Sequence, residues 1–519
     1  MKAVTLRTFI AVHTWAGLIA GFGLFIAFYA GAITVFVHEL QEWEQSAKPH
    51  RPVDSVENAQ RLVDLVLARH PEAHDRFNLQ VPSSHHPELL LRWDDHEFQL
   101  TPELQLAEIK PSSELAGLIY RLHYTAGIPT PWGLYALGFV CILYGLALVT
   151  GIVIYTPVFL KDLFALRVGR NLKRLWQDAH NAIGVLSLPF HVIFAWTGAI
   201  LAIGTLLLAP FQYLVFEGKL MQLIGADLTL AEPREPAGSN APLLSVSQVL
   251  ARAQAARPGI EAESLVYHHA GDANAQIDIY GHVEQRSLSA LAAIALNGSS
   301  GELIRIVDAE RFSVGTRFYR SLAALHFGDF GEAPVKWLYF ILGMAGAFLF
   351  YSGNLLWIET RRERRSVLQP RNTRWMAQAT LGVCLGCIAG ISAIFLANKL
   401  LPAALADRPV WEERVYFLVF FLCLIWAFAR PPARGGYELL LTSAVLTGAI
   451  PFVNALVTGN HIVNTLIHGE WALFFVDVIA LLFAWMFWRM ARATLKRGRN
   501  GEANSVWSLS PAGGTTSAS

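Results

Sequence analysis

The chain has 519 residues, 54% of them hydrophobic, 12% aromatic and only 16% charged, with a mean hydropathy of +0.38. Soluble domains carry about 25% charged residues, so the composition points to lipid as the solvent and excludes an ordinary soluble enzyme. A net charge of +1 gives no basis for nucleic-acid binding, and four cysteines, all inside apolar runs, exclude a disulfide-stapled scaffold.

A membrane span needs about 20 mainly apolar residues. In chain order the candidates fall near 9–37, 132–156, 181–215, 334–358, 376–397, 412–429, 437–458 and 470–489, which predicts an all-α bundle of about eight transmembrane helices. The first is too long for a signal-peptide core and reads as an uncleaved anchor. It carries His13 near its start and His38-Glu39 at its end, the latter pair read as a solvated helix end. Residues 38–120 follow as a first outer module: SVENAQRLVDLVLARH (55–70) has helical periodicity, and LLLRW and EFQLT alternate as strands. His123 lies just before the second span.

The third span holds His180 and His191 and is interrupted by Pro189 and Pro210, which predicts a kink. The Pro/Gly/Ala-rich stretch 228–242 reads as a linker. A second module (217–325) repeats the first, with a helix over 245–257 and strands in SLVYHH, AQIDIYG, SALAAIALN and GELIRIVD. His326 precedes the fourth span. Residues 121–216 thus hold spans two and three, 326–362 span four, 363–492 an appended four-helix bundle, and 493–519 a polar, disordered tail. Cys384 and Cys387, though spaced as a redox motif, read as buried packing residues. His461 and His468 read as surface loop, as do His50, His85 and His86.

Lysine and arginine collect in every second loop: Lys2 and Arg7, then Lys161, Arg167, Arg170, Lys173 and Arg174, then the run from Arg361 to Arg374, and a last group from Arg489 to Arg499. Positive charge stays on the cytoplasmic side. The expectation is a multi-pass protein of a bacterial inner membrane, with both termini cytoplasmic and two large periplasmic loops. Arg311, Arg317 and Arg320 then sit on the outer face, where they could meet an anionic group or form a plain interfacial helix.

An internal repeat runs through the first four spans. His13-Thr-Trp-Ala-Gly17 aligns with His180-Asn-Ala-Ile-Gly184, and Gly31-Ala-Ile33 with Gly198-Ala-Ile200, at one constant offset. Leu122-His123-Tyr124 before Pro131 matches Leu325-His326-Phe327 before Pro334. The repeating unit is helix, outer module, histidine segment, helix. Histidines in membrane helices are costly and mark function. A haem iron takes two axial imidazoles from opposite sides of its plane, and facing helices supply them. His13 and His180 are the first candidate pair, for an inner haem. His123, His191 and His326 are candidates for an outer one, with His191 about 16 Å beyond His180 on a straight helix. Gly17, Gly21, Gly23, Gly184, Gly198 and Gly204 would leave room for a flat macrocycle, and Trp15, Phe190 and Trp196 would flank it.

LRTFIAVHTWAGLIAGFGLFIAFYAGAITVFVHELQEW, AHNAIGVLSLPFHVIFAWTGAI and LAALHFG resemble, in this order, helices one, three and four of PepSY-associated transmembrane proteins, and the outer modules resemble small α+β PepSY domains. The likeness covers about residues 5–362. The family includes iron-regulated inner-membrane proteins and siderophore reductases. It implies two haem b groups, periplasmic reduction of a ferric siderophore, and an electron donor that is either a cytoplasmic reductase or a quinol. Two other readings stay open: a non-enzymatic PepSY-type regulator of peptides or a protease, and a transporter that relays protons through its histidines.

Overall fold

The computed structural model describes residues 3–45, 53–83, 88–109, 113–159, 167, 171–219, 230–283, 291–308, 314–328 and 330–509. Lys2, His50, His85, His86, Lys161, Arg170 and Arg311 lie outside them, as do residues 510–519 of the tail.

The elements run α1 (Ala3–Thr34), α2 (Val37–Glu44), α3 (Val56–Arg69), β1 (Arg76–Gln80), β2 (Leu90–Trp93), β3 (His96–Leu100), β4 (Leu106–Ile109), α4 (Leu115–Thr125), α5 (Trp132–Tyr155), α6 (Leu172–Leu186) and α7 (Leu188–Leu214). There follow α8 (Val246–Ala256), β5 (Ile260–His268), β6 (Gln276–Val283), β7 (Leu291–Asn297), β8 (Leu303–Val307), α9 (Val314–Phe327) and α10 (Glu332–Thr360). The chain ends in α11 (Arg371–Leu400), α12 (Arg408–Ala429), α13 (Pro432–Thr458), α14 (Ile462–His468) and α15 (Trp471–Asn500). Two compact units result. One gathers residues 1–48, 112–204 and 333–519; the other gathers 49–111 and 205–332.

The first unit is helical. Six of its helices (α1, α5, α10, α11, α13 and α15) are long and apolar enough to cross a membrane, and α6 with the first part of α7 makes a seventh if that bent pair is one span. The expected eighth, α12, has 22 residues but carries Arg408, Glu412, Glu413 and Arg414 in its first two turns, and it falls short of the same test. α1 packs against α4 and α5, α11 against α12 and α13, and α13 against α15. Gly382, Gly386 and Gly390 form a stripe along α11 where a side chain would strike Leu424, Phe420 and Tyr416 of α12. Small residues at this spacing let membrane helices approach closely, and Cys384 and Cys387 are buried free thiols between them.

The third apolar segment is a corner rather than a straight rod. α6 and α7 meet at 74° across Ser187, with Pro189 in the first turn of α7, where its missing N–H costs nothing. A second break falls at Ile203. The straight-helix spacing of His180 and His191 therefore does not apply. The tail also departs from expectation: α15 continues to Asn500, and residues 501–509 turn back so that Arg362 bonds Glu502 and Asn504, and the N–H of Leu509 donates to the carbonyl of Gly498.

The second unit holds one eight-stranded antiparallel sheet, in the order β4-β3-β2-β1-β5-β6-β7-β8. The sequence read as two small sheets, but β1 and β5 pair directly, from Arg76 with His268 to Gln80 with Ser264. The joint is reinforced by stacked Phe77 and Tyr267, 4.4 Å between ring centres, and by Ser264 Oγ donating to Asn78 Oδ1 at 2.7 Å. Ala59, Leu62, Val63 and Val66 of α3, and Val246, Val249 and Ala253 of α8, recur every three or four residues, as one buried helix face requires. Both helices contribute to a single core with the sheet. A capping box, Ser245 with Gln248, starts α8.

Candidate functional site

The helical unit brings His13 and His180 together. Their ring centres are 6.2 Å apart and their planes cross at 80°. Each imidazole is held from behind in the same way. Nδ1 of His13 donates to the carbonyl of Ala147 on α5 at 2.8 Å, and Nδ1 of His180 donates to the carbonyl of Leu349 on α10 at 3.1 Å. The hydroxyls of Thr150 and Ser352 stand at 3.4 and 3.5 Å from the same nitrogens. A carbonyl can only accept, so each ring carries its proton on Nδ1 and keeps the Nε2 lone pair for a metal.

Glycine makes this approach possible. Cβ atoms on Gly151 and Gly353, one turn beyond those carbonyls, would sit 3.1 and 3.2 Å from the imidazole Cε1 atoms. His123 at the end of α4 is seated on α1 by the same device: Nδ1 donates to Ala27 O at 2.8 Å, and a Cβ on Gly31 would lie 2.4 Å from that nitrogen.

His191 is different. It is 0% exposed, and both its nitrogens are engaged. Ser187 Oγ donates to Ile183 O and so accepts from Nε2 of His191 at 2.9 Å, which leaves Nδ1 to accept from the Tyr144 hydroxyl at 2.5 Å. Phe28, Phe190 and Tyr144 surround the ring. His191, expected as a candidate ligand of an outer haem, is in this arrangement a hydrogen-bonded node that ties α5 to the α6–α7 corner. His326 lies in the last turn of α9 in the second unit.

The His13–His180 pair can be tested against a haem. Metal–imidazole bonds of about 2 Å, with roughly 1 Å more from nitrogen to ring centre, set two axial imidazoles roughly 6 Å apart. The observed 6.2 Å fits. Beside these rings, one turn on, a Cβ at Gly17 would meet nothing within 4 Å, and one at Gly184 only Leu349 at 3.7 Å. Small residues thus leave open space next to both ligand candidates. Of the aromatic residues expected to flank the pocket, Trp15 and Trp196 are 60% and 59% exposed, and Phe190 packs on His191. Tyr144, Ser187, Thr150 and Ser352 were not singled out from sequence, although the carbonyl-x3-Gly spacing shared by Ala27–Gly31, Ala147–Gly151 and Leu349–Gly353 is visible in it.

Other histidines have local duties. His461 caps α14 by accepting from Asn464 N, and His468 donates to Asn464 O. Among the described residues no cluster of three or more His, Cys, Asp or Glu could hold a metal ion by itself. A buried polar knot lies at one end of the helical unit. Glu412, 0% exposed, accepts from Ser113 Oγ and from Glu114 N at the start of α4, and pairs with Arg408. Lys399 donates to Trp43 O, and Asp477 accepts from Trp43 Nε1 and Asn454 Nδ2.

Apolar helices around buried histidines define a multi-pass membrane protein. The family described as PepSY-associated TM region matches residues 10–360, and the chain belongs to it. It is also similar to the uncharacterized protein PA4219 of Pseudomonas aeruginosa, 27% identical over 287 residues, which cover 52% of this chain and 69% of that one.

Proposed function

We propose that this protein is an inner-membrane haem b oxidoreductase that carries electrons across the bilayer to reduce a ferric siderophore on the periplasmic side. The observation that carries the reading is the pair His13 and His180, 6.2 Å apart, each with Nδ1 committed to a backbone carbonyl. Bound between them, a haem would supply reversible one-electron chemistry. The chain's part is to hold two neutral imidazoles at a fixed separation, keep their tautomers constant and exclude water from the path. His123 is the proposed ligand of a second haem.

The same reading takes α12 as an eighth span, places both termini in the cytoplasm by the loop charges, and treats the first four spans as a tandem repeat. Ala147, Thr150 and Gly151 stand to His13 as Leu349, Ser352 and Gly353 stand to His180, which supports the repeat. The siderophore as substrate rests on the family likeness alone.

The test is a dithionite-reduced minus oxidised spectrum of the purified protein, with a pyridine haemochrome count per chain. Soret and α bands are expected, with a lower haem count per chain in His13→Ala and His180→Ala. A colourless protein after haem is supplied overturns the proposal.

A further inference from the structure

The helical unit contains a cleft of about 240 Å³ that neither histidine arrangement uses. It opens where α1, α2 and α10 of the family region face α11, α13 and α15 of the appended bundle. Its walls are aromatic: Phe36 against Trp337 at 4.9 Å, Trp337 against Phe475 at 5.3 Å, and Phe340 stacked on Phe483 with planes 11° apart. Small Ala480 leaves one wall recessed.

One polar group at its rim is half used. Glu39 accepts from Lys336 Nζ through Oε1 at 2.8 Å, while Oε2 has no hydrogen-bond partner. A buried carboxylate oxygen left unpaired costs free energy until a donor reaches it. Lys336 offsets its charge, so the missing donor is best a neutral O–H. The Ser392 and Thr447 hydroxyls bond each other at 2.8 Å deeper in the cleft and leave acceptor lone pairs there.

We propose that this cleft binds a membrane hydroquinone, with its ring between the aromatic walls and one O–H donated to Glu39 Oε2. The occupant has the required chemistry: a flat apolar ring, a hydroxyl at each end, an apolar tail that partitions from lipid, and no charge to meet the carboxylate. A phospholipid matches the walls but brings a phosphate to Glu39. The position suits electron delivery. On α1, Ala27 and Gly31 face His123, whereas Tyr29 and Ile33 line the cleft. Residues two apart lie on opposite sides of a helix, so the two places are separated by one helix thickness, about 10 Å.

On oxidation the two O–H bonds of the hydroquinone break and two C=O bonds form. One proton passes to Glu39 and the other to water at the open end. With a haem held by His123, its ferric iron would take the two electrons one at a time across α1. This last step rests on the haem reading; occupancy of the cleft does not.

The test has two arms on the full-length protein in detergent. First, decylubiquinone is titrated against tryptophan fluorescence without any use of the haem bands. Saturable quenching is expected, lost in the Trp337→Phe/Trp471→Phe double variant and shifted at least tenfold in midpoint by Ala480→Phe. Quenching that never saturates, or that persists in the double variant, means the cleft holds only lipid chains and overturns the proposal. Second, decylubiquinol is mixed with the haem-loaded protein. Glu39→Gln is expected to slow haem reduction at least tenfold while dithionite reduces it as in the parent. Equal rates with decylubiquinol overturn the role of Glu39. Saturable binding in a protein that takes up no haem sinks the haem reading and leaves the quinone site standing.

Discussion

Gly151, Gly353 and Gly31 set the reach of three imidazoles. Alanine at Gly151 or Gly353 places a methyl group 3.1–3.2 Å from the ring carbon, tight enough to turn the imidazole without unfolding the bundle. The expected outcome is a folded protein with lowered haem retention or a displaced Soret band, measured by absorbance and elution volume. Gly31→Ala meets His123 Nδ1 at 2.4 Å and is more severe, with a stability loss of about 1–3 kcal/mol expected in thermal unfolding. Histidine positions were legible in the sequence because intramembrane imidazoles are costly and therefore stand out. Their hydrogen-bond states were not. Nothing in the chain order says that Ser187 and Tyr144 would occupy both nitrogens of His191, since that depends on a corner between two helices. Glu39, read with His38 as a solvated helix end, is partly exposed and pairs with Lys336 of α10, a contact that chain order does not announce.

One exposed carboxylate also acts at this scale. Asp272 accepts from the backbone N–H groups of Asn274, Ala237 and Gly238, and these bonds hold its carboxyl below its ordinary value of 3.8. A depressed folded-state pKa means that the stabilisation is present above about pH 4 and lost as pH falls through the lower folded value. The protection factors of the amides at residues 237, 238 and 274 should therefore fall on acidification, and Asp272→Asn should remove most of that dependence.

α4 shows how an element is fixed from both ends. Its first-turn N–H groups have no partners inside the helix. Glu412 of α12 takes that of Glu114, just ahead of the helix, and Glu44 of α2 takes that of Ala116, while the last turn seats His123 on α1. Burial pushes the Glu44 carboxyl up, against the pull of its hydrogen bonds. Glu412→Ala strips acceptors from Ser113, Glu114 and Arg408 together. A loss of about 2–4 kcal/mol is expected in thermal unfolding, with Glu412→Gln recovering part of it. Helix existence and approximate bounds were readable from apolar run length alone. The 74° corner at Ser187 was only hinted at by Pro189, because the angle is set by what packs on either arm. α12 is mixed: its apolar run reads as a span, while the charges of its first turns serve the knot around α4.

At the scale of the molecule, the appended helices are part of the first unit and not an accessory. Trp43 is wholly buried against Phe395, Lys399 and Asp477, all supplied by α11 and α15. A chain ending at Arg365 should expose Trp43 and fail to accumulate as a monodisperse species in size-exclusion chromatography. Survival of that fragment with its haem would show the family region to be self-sufficient. The sequence suggested two α+β modules but not their fusion into one sheet. Strand periodicity records which face is buried and carries no information on which edge meets which.

That fusion has a consequence for biosynthesis. Residues 76–109 leave the ribosome well before 260–307, and the apolar stretches of α5 to α7 emerge in between. Until the later strands arrive, β1 presents an open row of amides and carbonyls, a template for association with other chains. The earlier segment must wait, unfinished, while the intervening helices emerge. A nascent chain arrested between residues 215 and 245 should be captured by proteases or chaperones far more readily than one arrested after 310.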